Sequence, residues 1–233
     1  MEDSVKYPIE NFVSKTIVIH DNQEINKSNV LISGQYDEYI EKVIVPRGLI
    51  LDRIDKLAFD IFKENKDKTI YFLVAMKGAV KFATYLADKI NEIMNNDLSG
   101  SKFQYFFEYI SISSYENDKS TGQVKFEVDE KLFEKLRNQN VILVEDILDT
   151  GKTLSTFIEF INKNFTPASI KLAILTQKTN PINLNYKIEV DYLGFLVPDK
   201  FIIGFGLDYN QYFRDMNHIC SINEKGIKAF KIK

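Results

Sequence analysis

The segment with the most chemical potential is a loop in which carboxylates precede small polar residues. It reads Glu145-Asp146-Ile147-Leu148-Asp149-Thr150-Gly151-Lys152-Thr153. The helix predicted from Thr153 would begin at the end of this loop. Backbone N–H groups and hydroxyls there suit a phosphate dianion, and Gly151 lets the backbone approach it closely. Glu145 and Asp146 can accept hydrogen bonds from vicinal hydroxyls or bind a hard divalent cation. The loop therefore predicts a site for a phosphorylated ligand and its metal ion.

Two other interpretations fit part of this loop. Gly151-Lys152-Thr153 resembles the end of the phosphate-binding loop of nucleoside triphosphatases, which needs a glycine five residues before Gly151. That position is Asp146, and a carboxylate there would repel a triphosphate. An ordinary strand-to-helix turn with surface acids remains open from the loop alone, because Asp-Thr-Gly turns commonly cap helices.

The loop lies within an alternation of strand-like and helix-like segments. Apolar periodicity predicts helices over 49–65, 79–94 and 153–164, and strands over 69–76, 103–114, 123–128, 140–144, 170–176 and 191–197. This order indicates an α/β fold with a mainly parallel sheet flanked by helices. Ligands of such sheets bind at the carboxyl ends of the strands, here residues 76–78, 145–153 and 177–178. The polar residues 115–122 form either an ordinary hairpin tip or a mobile lid.

Composition narrows the class of protein. With 233 residues, 45% of them hydrophobic, the chain suits one α/β domain with a sizeable core. Its formal net charge of −3 lacks the basic excess of nucleic-acid-binding proteins, so no nucleic-acid partner is expected. The N-terminus lacks a basic stretch followed by an apolar run, and no segment approaches about 18 uninterrupted apolar residues. We therefore expect a cytoplasmic protein without membrane contact.

Histidine and cysteine offer little chemistry. His20 and His218 are the two histidines and are separated by nearly the whole chain, which gives a histidine metal site or a serine–histidine triad little material. We expect both to be structural. Cys220 is the single cysteine, which excludes an internal disulfide, suits a reducing compartment and predicts a small buried apolar residue.

Residues 141–153 are closely similar to the phosphoribosyl-pyrophosphate-binding signature of type I phosphoribosyltransferases. Within that superfamily the chain resembles the hypoxanthine-guanine branch, from about residue 39 to 212 and beyond. The matching blocks include Val45-Pro46-Arg47-Gly48-Leu49-Ile50, Met76-Lys77-Gly78, Ser114-Tyr115, Ser120-Thr121-Gly122, Pro198-Asp199-Lys200-Phe201 and the segment 207–215. The resemblance implies a single domain over 1–233, with a twisted sheet core at about 37–197 and a small hood formed by 1–36 and 198–233. It also implies a homodimer or homotetramer.

The resemblance implies a purine-salvage reaction. A 6-oxopurine attacks C1 of phosphoribosyl pyrophosphate, giving the nucleoside 5′-monophosphate and pyrophosphate, with Mg²⁺ on the diphosphate. Hypoxanthine and guanine are the expected bases, and xanthine is left open. In the family pattern Glu145 and Asp146 face the ribose hydroxyls and the metal, while Asp149 lies near N7 as the general base. The run from Asp149 to Thr153 matches the cradle for the 5′-phosphate.

Pyrophosphate contacts are implied at three other segments. Lys77 and Gly78 match a tight turn whose backbone contacts pyrophosphate, and the resemblance implies a cis peptide between these two residues. Arg214 matches a guanidinium that reaches the pyrophosphate. Asp208 matches a carboxylate that serves a second metal ion and the exocyclic edge of the base.

The purine contacts follow from the same resemblance. Phe201 matches the aromatic ring that stacks on the base, and the Ile202 backbone matches the group that reads its Watson–Crick edge. Lys178 matches the ammonium that donates to O6, which distinguishes 6-oxopurines from adenine. Ser114 and Tyr115 match the head of a mobile loop that closes over the reacting centre, which favours the lid interpretation.

The sequence also departs from the family pattern. Thr179 follows Lys178 where many relatives carry arginine, so the support of the lysine is open. Residues 111–113 replace basic residues, which leaves subunit contacts and part of the pyrophosphate environment open. A regulator that binds phosphoribosyl pyrophosphate without turnover, and a relative that uses adenine or orotate, are the alternatives. The presence of Asp149 and Arg214 argues against the first, and Lys178 argues against the second.

Overall fold

The computed structural model describes residues 16–23, 25–114, 124–127, 130–179 and 188–232. The strands are β1 Ile17–Val18, β2 Ile40–Val45, β3 Thr69–Met76, β4 Gln104–Ser114, β5 Val124–Glu127, β6 Asn140–Leu148, β7 Ser169–Lys178, β8 Tyr192–Val197, β9 Ile202–Ile203 and β10 Ile219–Ile222. The helices are α1 Arg47–Glu64, α2 Val80–Asn96, α3 Glu130–Leu136, α4 Lys152–Asn164 and α5 Glu224–Ala229. Among the described residues, no helix is long and apolar enough to span a membrane.

The larger sheet has the strand order β1-β8-β7-β6-β3-β4-β5. Every neighbouring pair is parallel except β4 and β5, which are antiparallel. The central strands are in register at Leu73 with Leu143 and at Val144 with Ala173. The expectation of a mainly parallel sheet is therefore confirmed.

Helices cover both faces of this sheet. Helix α1 buries Ile50, Ile54, Leu57, Ala58, Ile61 and Phe62, the positions at which its apolar spacing predicts a core face. On the opposite face α4 buries Leu154, Phe157 and Ile161. Phe72 and Leu73 are adjacent in β3, belong to different core clusters and are both fully buried. Burial on two faces explains why this strand is an uninterrupted apolar run.

A smaller antiparallel sheet has the order β2-β10-β9. It is covered by a separate apolar cluster that includes Tyr36 and Phe213, whose ring centroids are 4.5 Å apart. Cys220 in β10 is fully buried in this cluster, and burial raises the pKa of its thiol to about 12. The expectation of a buried structural cysteine is therefore confirmed.

The division between the two sheets differs from the expected hood and core. Strand β1 was placed in the hood at 1–36, yet it pairs with β8 in the larger sheet, where it covers backbone groups of an edge strand. Strand β2 was placed in the core at 37–197, yet it pairs with β10, with Val43 opposite Cys220. The boundary between core and hood therefore depends on which strands pair across long sequence distances, and not on position along the chain.

Candidate functional site

The predicted loop begins inside a strand. Strand β6 continues to Leu148, beyond the expected end at residue 144, and pairs with β7 through Glu145 and Ile147. The two acids therefore have backbone positions fixed by the sheet. The turn comprises residues 149–151, and Gly151 precedes α4 with a φ of 80°. That left-handed conformation is one that glycine adopts without steric cost.

A cleft of about 250 Å³ lies at this edge of the sheet. It is lined by the ends of β3 and β6, by the turn and by the first residues of α4: Ala75, Met76, Glu145, Ile147, Leu148, Asp149, Thr150, Gly151, Thr153 and Leu154. Residues of the predicted signature and the last strand residue before Lys77 thus open onto one space.

Glu145 and Asp146 form a close carboxyl pair. The backbone N–H of Asp146 donates to Oε1 of Glu145 at 3.2 Å, and the hydroxyl of the fully buried Thr176 donates to the carbonyl of Asp146 at 2.7 Å. Burial and the adjacent Asp146 raise the pKa of Glu145 well above its usual range. Burial also raises the pKa of Asp146, while a hydrogen bond with Glu145 and the charge of Arg214 oppose the rise. The pair therefore favours either a retained proton or a cation nearby.

The turn after β3 lies directly against this pair. A Cβ atom placed on Gly78 would collide with the carboxylate of Asp146, so the absence of a side chain lets the two backbones approach. The peptide bond between Met76 and Lys77 is cis. The expected cis bond between Lys77 and Gly78 is therefore wrong by one residue. The cis peptide precedes Lys77, where the last residue of β3 joins the turn. The Lys77 side chain is exposed.

Arg214 and Asp208 form an ion pair on the loop between β9 and β10. Their Nη2 and Oδ1 atoms are 2.7 Å apart, and Arg214 Nη1 donates to the carbonyl of Gly206 at 2.7 Å. The other oxygen of Asp208 accepts from the backbone N–H of Gln211 at 2.7 Å. Within the described part of the chain, the buried Nε of Arg214 has no acceptor, so this guanidinium retains an unused donor.

Lys178 and Asp149 are brought together by adjacent strands. Lys178 ends β7, and its Nζ lies 3.2 Å from Oδ2 of Asp149 and 3.9 Å from Oδ1 of Asp199. Its side chain is only 11% exposed, whereas Asp149 is 47% exposed. Asp199 was not among the predicted site residues. Its position could have indicated a site residue, because Asp199 lies two residues after the end of β8. The last residue of that strand, Val197, is in register with Lys178.

The remaining predicted purine contacts lie just beyond β8. Phe201 is 49% exposed, and its ring meets that of Tyr209 edge-on with centroids 5.3 Å apart. Ile202 begins β9 and is 5% exposed. The half-exposed ring of Phe201 therefore presents apolar surface two residues after Asp199, the acid that approaches Lys178.

Part of the predicted site lies outside the described residues. Tyr115 and the rest of the predicted lid, residues 115–122, fall there, whereas Ser114 is the last residue of β4 and pairs with Val124 of β5. Among the residues that the structure does describe, no group of three or more histidine, cysteine, aspartate or glutamate side chains is placed to hold a metal ion. Asp208 therefore does not join Glu145 and Asp146 in one three-ligand cluster.

Comparison with known proteins agrees with this geometry. The phosphoribosyl transferase domain family matches residues 44–210. Hypoxanthine-guanine phosphoribosyltransferase from Bos taurus is 40% identical over 219 residues, which cover 94% of this chain and 98% of the relative. The protein of that name from Homo sapiens is 40% identical over 200 residues, covering 86% of this chain and 89% of the relative.

A solved structure gives the same result. The crystal structure of hypoxanthine-guanine phosphoribosyltransferase from Schistosoma mansoni in complex with IMP matches with a TM-score of 0.75 and 29% identity. The match covers 93% of this chain and all of that one. The α/β architecture is accordingly the type I phosphoribosyltransferase fold. By sequence identity, coverage and fold, the chain belongs to the hypoxanthine-guanine phosphoribosyltransferases within the phosphoribosyl transferase domain family.

Proposed function

We propose that this protein is a purine-salvage enzyme that transfers the 5-phosphoribosyl group of phosphoribosyl pyrophosphate to hypoxanthine or guanine. The products are IMP or GMP and pyrophosphate. The observation that carries the proposal is the 3.2 Å contact between Asp149 and Lys178 beside the glycine-containing turn into α4. It joins a proton acceptor, a donor to an oxopurine and a phosphate cradle at one edge of the sheet.

The turn into α4 would hold the 5′-phosphate. Thr150, Gly151, Lys152 and Thr153 supply backbone N–H groups and hydroxyls at the N-terminus of a 13-residue helix. The partial positive charge of such an end favours a dianion. Gly151, with its φ of 80°, lets the chain turn tightly around the phosphate.

Glu145 and Asp146 would hold the ribose hydroxyls and a Mg²⁺ ion. Mg²⁺ in phosphate-transfer sites commonly takes one or two carboxylates and completes its coordination with substrate oxygens and water. The acid pair fits that donor set, since its oxygens are hard ligands and burial raises the pKa of both carboxyl groups, a shift that a bound cation would oppose. When bound, Mg²⁺ would offset the charge of the departing pyrophosphate. Asp208 is proposed to serve a second metal ion and the exocyclic edge of the purine.

Asp149 would act as the general base. Its carboxylate would accept the proton at N7 of the purine as the base bonds to C1 of the ribose. Lys178 would donate a hydrogen bond to O6. The amino group of adenine would instead place a donor against the ammonium, which disfavours adenine. Lys178 is held between Asp149 and Asp199. One bound purine could therefore give its N7 proton to Asp149 and accept a hydrogen bond from Lys178 at O6.

The pyrophosphate would lie between the β3–α2 turn and Arg214. Lys77 and Gly78 would contribute backbone groups, and Arg214 would contribute its guanidinium, whose buried Nε has no acceptor within the described residues. A charge-assisted hydrogen bond from a guanidinium to a phosphate is among the strong polar interactions in proteins. These groups would stabilise the charge that develops as the C1–O bond breaks.

The purine would stack on Phe201, with the Ile202 backbone at its Watson–Crick edge. Ser114 and Tyr115 remain predicted as the head of a lid that excludes water from the reacting centre. Assembly as a homodimer or homotetramer also remains a prediction. The exposed aromatic residues Phe106 and Tyr109 of β4 are candidates for burial in such an assembly.

A panel of bases tests the proposed substrate class. The protein is mixed with phosphoribosyl pyrophosphate, Mg²⁺ and one base at a time, and nucleotide formation is followed by chromatography. We expect turnover with hypoxanthine and guanine, and adenine slower by about two orders of magnitude or more. Failure of hypoxanthine, guanine and xanthine alike would contradict the proposal. Binding of phosphoribosyl pyrophosphate without turnover of any base would instead indicate a regulator.

A further inference from the structure

Lys81 connects two segments that the proposed pyrophosphate site draws on. It lies in the first turn of α2, three residues after Gly78. Its ammonium donates to the carbonyl of Met216 at 2.7 Å, to the carbonyl of Asp215 at 3.2 Å and to Oδ1 of Asn217 at 3.4 Å. Three acceptors on consecutive residues saturate the donors of a lysine.

The loop that Lys81 holds is the one that carries Arg214. This loop doubles back on itself, since the N–H of Phe205 donates to the carbonyl of Met216 at 2.9 Å and the N–H of Gly206 donates to that of Arg214 at 3.0 Å. Lys81 contacts both arms, because its ammonium also lies 5.1 Å from the centre of the Phe205 ring. One side chain of α2 thus fixes the two arms relative to the helix.

The same loop rests on the turn after β3. Gly206 has a φ of 102°, and it approaches the Gly78 carbonyl so closely that a Cβ atom would collide with it. The Gly206 carbonyl in turn accepts from Arg214 at 2.7 Å. Gly78, Gly206 and Arg214 therefore form a continuous chain of contacts, with Lys81 holding the far side of the loop.

We propose that Lys81 is a positioning residue for pyrophosphate: it docks the Arg214 loop on the β3–α2 turn, so that both segments meet the diphosphate of phosphoribosyl pyrophosphate in a fixed geometry. This inference rests on the proposed function. The ammonium uses its donors on protein oxygens, so Lys81 acts through Arg214. Burial lowers the pKa of Lys81, while the nearby Asp215 opposes and Arg47 adds to the shift.

The test compares two ligands that differ in whether they carry a diphosphate. Lys81→Met keeps much of the aliphatic stem but removes the donors. We expect the dissociation constant for phosphoribosyl pyrophosphate with Mg²⁺, measured by calorimetry, to rise about tenfold, the size expected for loss of a charged hydrogen bond. Binding of IMP, which has no diphosphate, should stay within about twofold of the wild type. A general loss of structure would weaken both ligands.

Two further variants complete the experiment. Lys81→Arg keeps a charge and several donors and should recover most of the affinity for phosphoribosyl pyrophosphate. Lys89→Met is the matched control, because Lys89 lies on the same helix but pairs with Asp55 at 2.9 Å and Glu92 at 2.8 Å. Both ligands should bind it as they bind the wild type. If Lys81→Met does not fold, Lys81→Gln, which has a shorter reach and no charge, takes its place with the same expectation.

The outcomes separate this inference from the proposed function. A folded variant without the ammonium that binds phosphoribosyl pyrophosphate as the wild type does, or that loses both ligands equally, would overturn the role of Lys81 and leave the enzyme assignment standing. A wild-type protein that binds neither ligand and makes no IMP would overturn the proposed function and this inference with it.

Discussion

Asp149 and Lys178 come from the ends of two neighbouring strands and meet at 3.2 Å. The sequence identified each residue separately through its resemblance to the family, with one as proton acceptor and the other as donor to O6. Their contact could not be predicted, because it depends on the register of β6 with β7, in which Leu148 lies opposite Gln177. Asp199 stands in a block that resembles the family but was not predicted as a site residue, because its approach to Lys178 depends on the register of β7 with β8.

Replacing Asp149 by asparagine tests its proposed role as the base. An amide cannot accept the N7 proton, so we expect the rate of the chemical step to fall about 100-fold or more, while IMP binding changes far less. Rapid-quench measurement of a single turnover separates these effects. Asp55→Asn is the control, because Asp55 lies on α1 and pairs with Lys89. If Asp149→Asn kept the wild-type rate, another group would have to accept the proton.

At the scale of elements, β3, α1, β6 and the β3–α2 turn differ in how far local sequence patterns reveal them. The limits of β3 and the buried positions of α1 follow from apolar spacing alone. The length of β6 does not, because its last residues include two acids and leave the apolar pattern that marks a buried strand. The contact of Gly78 with Asp146 is also absent from local sequence, since it joins residues 68 positions apart.

Gly78→Ala tests whether this contact positions the acid pair. The added methyl group would collide with the Asp146 carboxylate, so the turn and the strand must separate. We expect the KM for phosphoribosyl pyrophosphate to rise about tenfold or more, as for loss of a charged hydrogen bond, with a lower unfolding temperature.

Gly48→Ala provides the matched control. Gly48 lies in α1, where a Cβ atom would meet nothing within 4 Å. Alanine also favours the helix over glycine, so we expect stability to be unchanged or slightly higher and turnover to be unaffected. Equal kinetics in the two variants would show that the β3–α2 turn tolerates a side chain and does not position Asp146.

At the scale of the whole molecule, His218 joins segments from three parts of the chain. Its Nδ1 accepts from the backbone N–H of Arg47 at 3.0 Å, and its Nε2 lies 3.2 Å from the carbonyl of Leu31. These partners imply a neutral ring protonated on Nε2. The residue therefore connects the start of α1, the N-terminal segment and the smaller sheet. A structural histidine was expected, but its partners lie 171 and 187 residues away and cannot be found by local patterns.

The pH dependence of stability tests this junction. Burial, helped by the charges of Arg47 and Lys81 and opposed by the hydrogen bond to Leu31, lowers the pKa of His218 below its usual 6.5. The unfolded chain therefore binds the proton more readily. The contribution of His218 to the free energy of unfolding is complete above pH 6.5. It is lost as the pH falls towards the lower pKa that the residue has in the folded state.

We expect the free energy of unfolding to decrease as the pH falls below 6.5, and His218→Gln to remove part of that slope. Urea unfolding at a series of pH values provides the measurement. His20→Gln is the control, because His20 is exposed and should leave the slope as it is in the wild type. Identical slopes in the wild type and in His218→Gln would contradict the assigned junction.

The division of the chain into core and hood was the least predictable feature at this scale. The α/β class and the parallel sheet follow from the order of apolar segments. Strand β1 was expected in the hood but pairs with β8 of the larger sheet. Strand β2 was expected in the core but pairs with β10 of the smaller sheet. Short strands carry little periodic signal, and their pairing is decided by backbone groups left free at distant edges.

The most direct test of the central claim is to count the products of a single reaction mixture. The protein is incubated with phosphoribosyl pyrophosphate, hypoxanthine and Mg²⁺, and both IMP and pyrophosphate are quantified over time. The proposed transfer predicts that the two appear in equal amounts and that neither forms at a comparable rate when hypoxanthine is omitted. Pyrophosphate released without IMP, or no product at all, would contradict it.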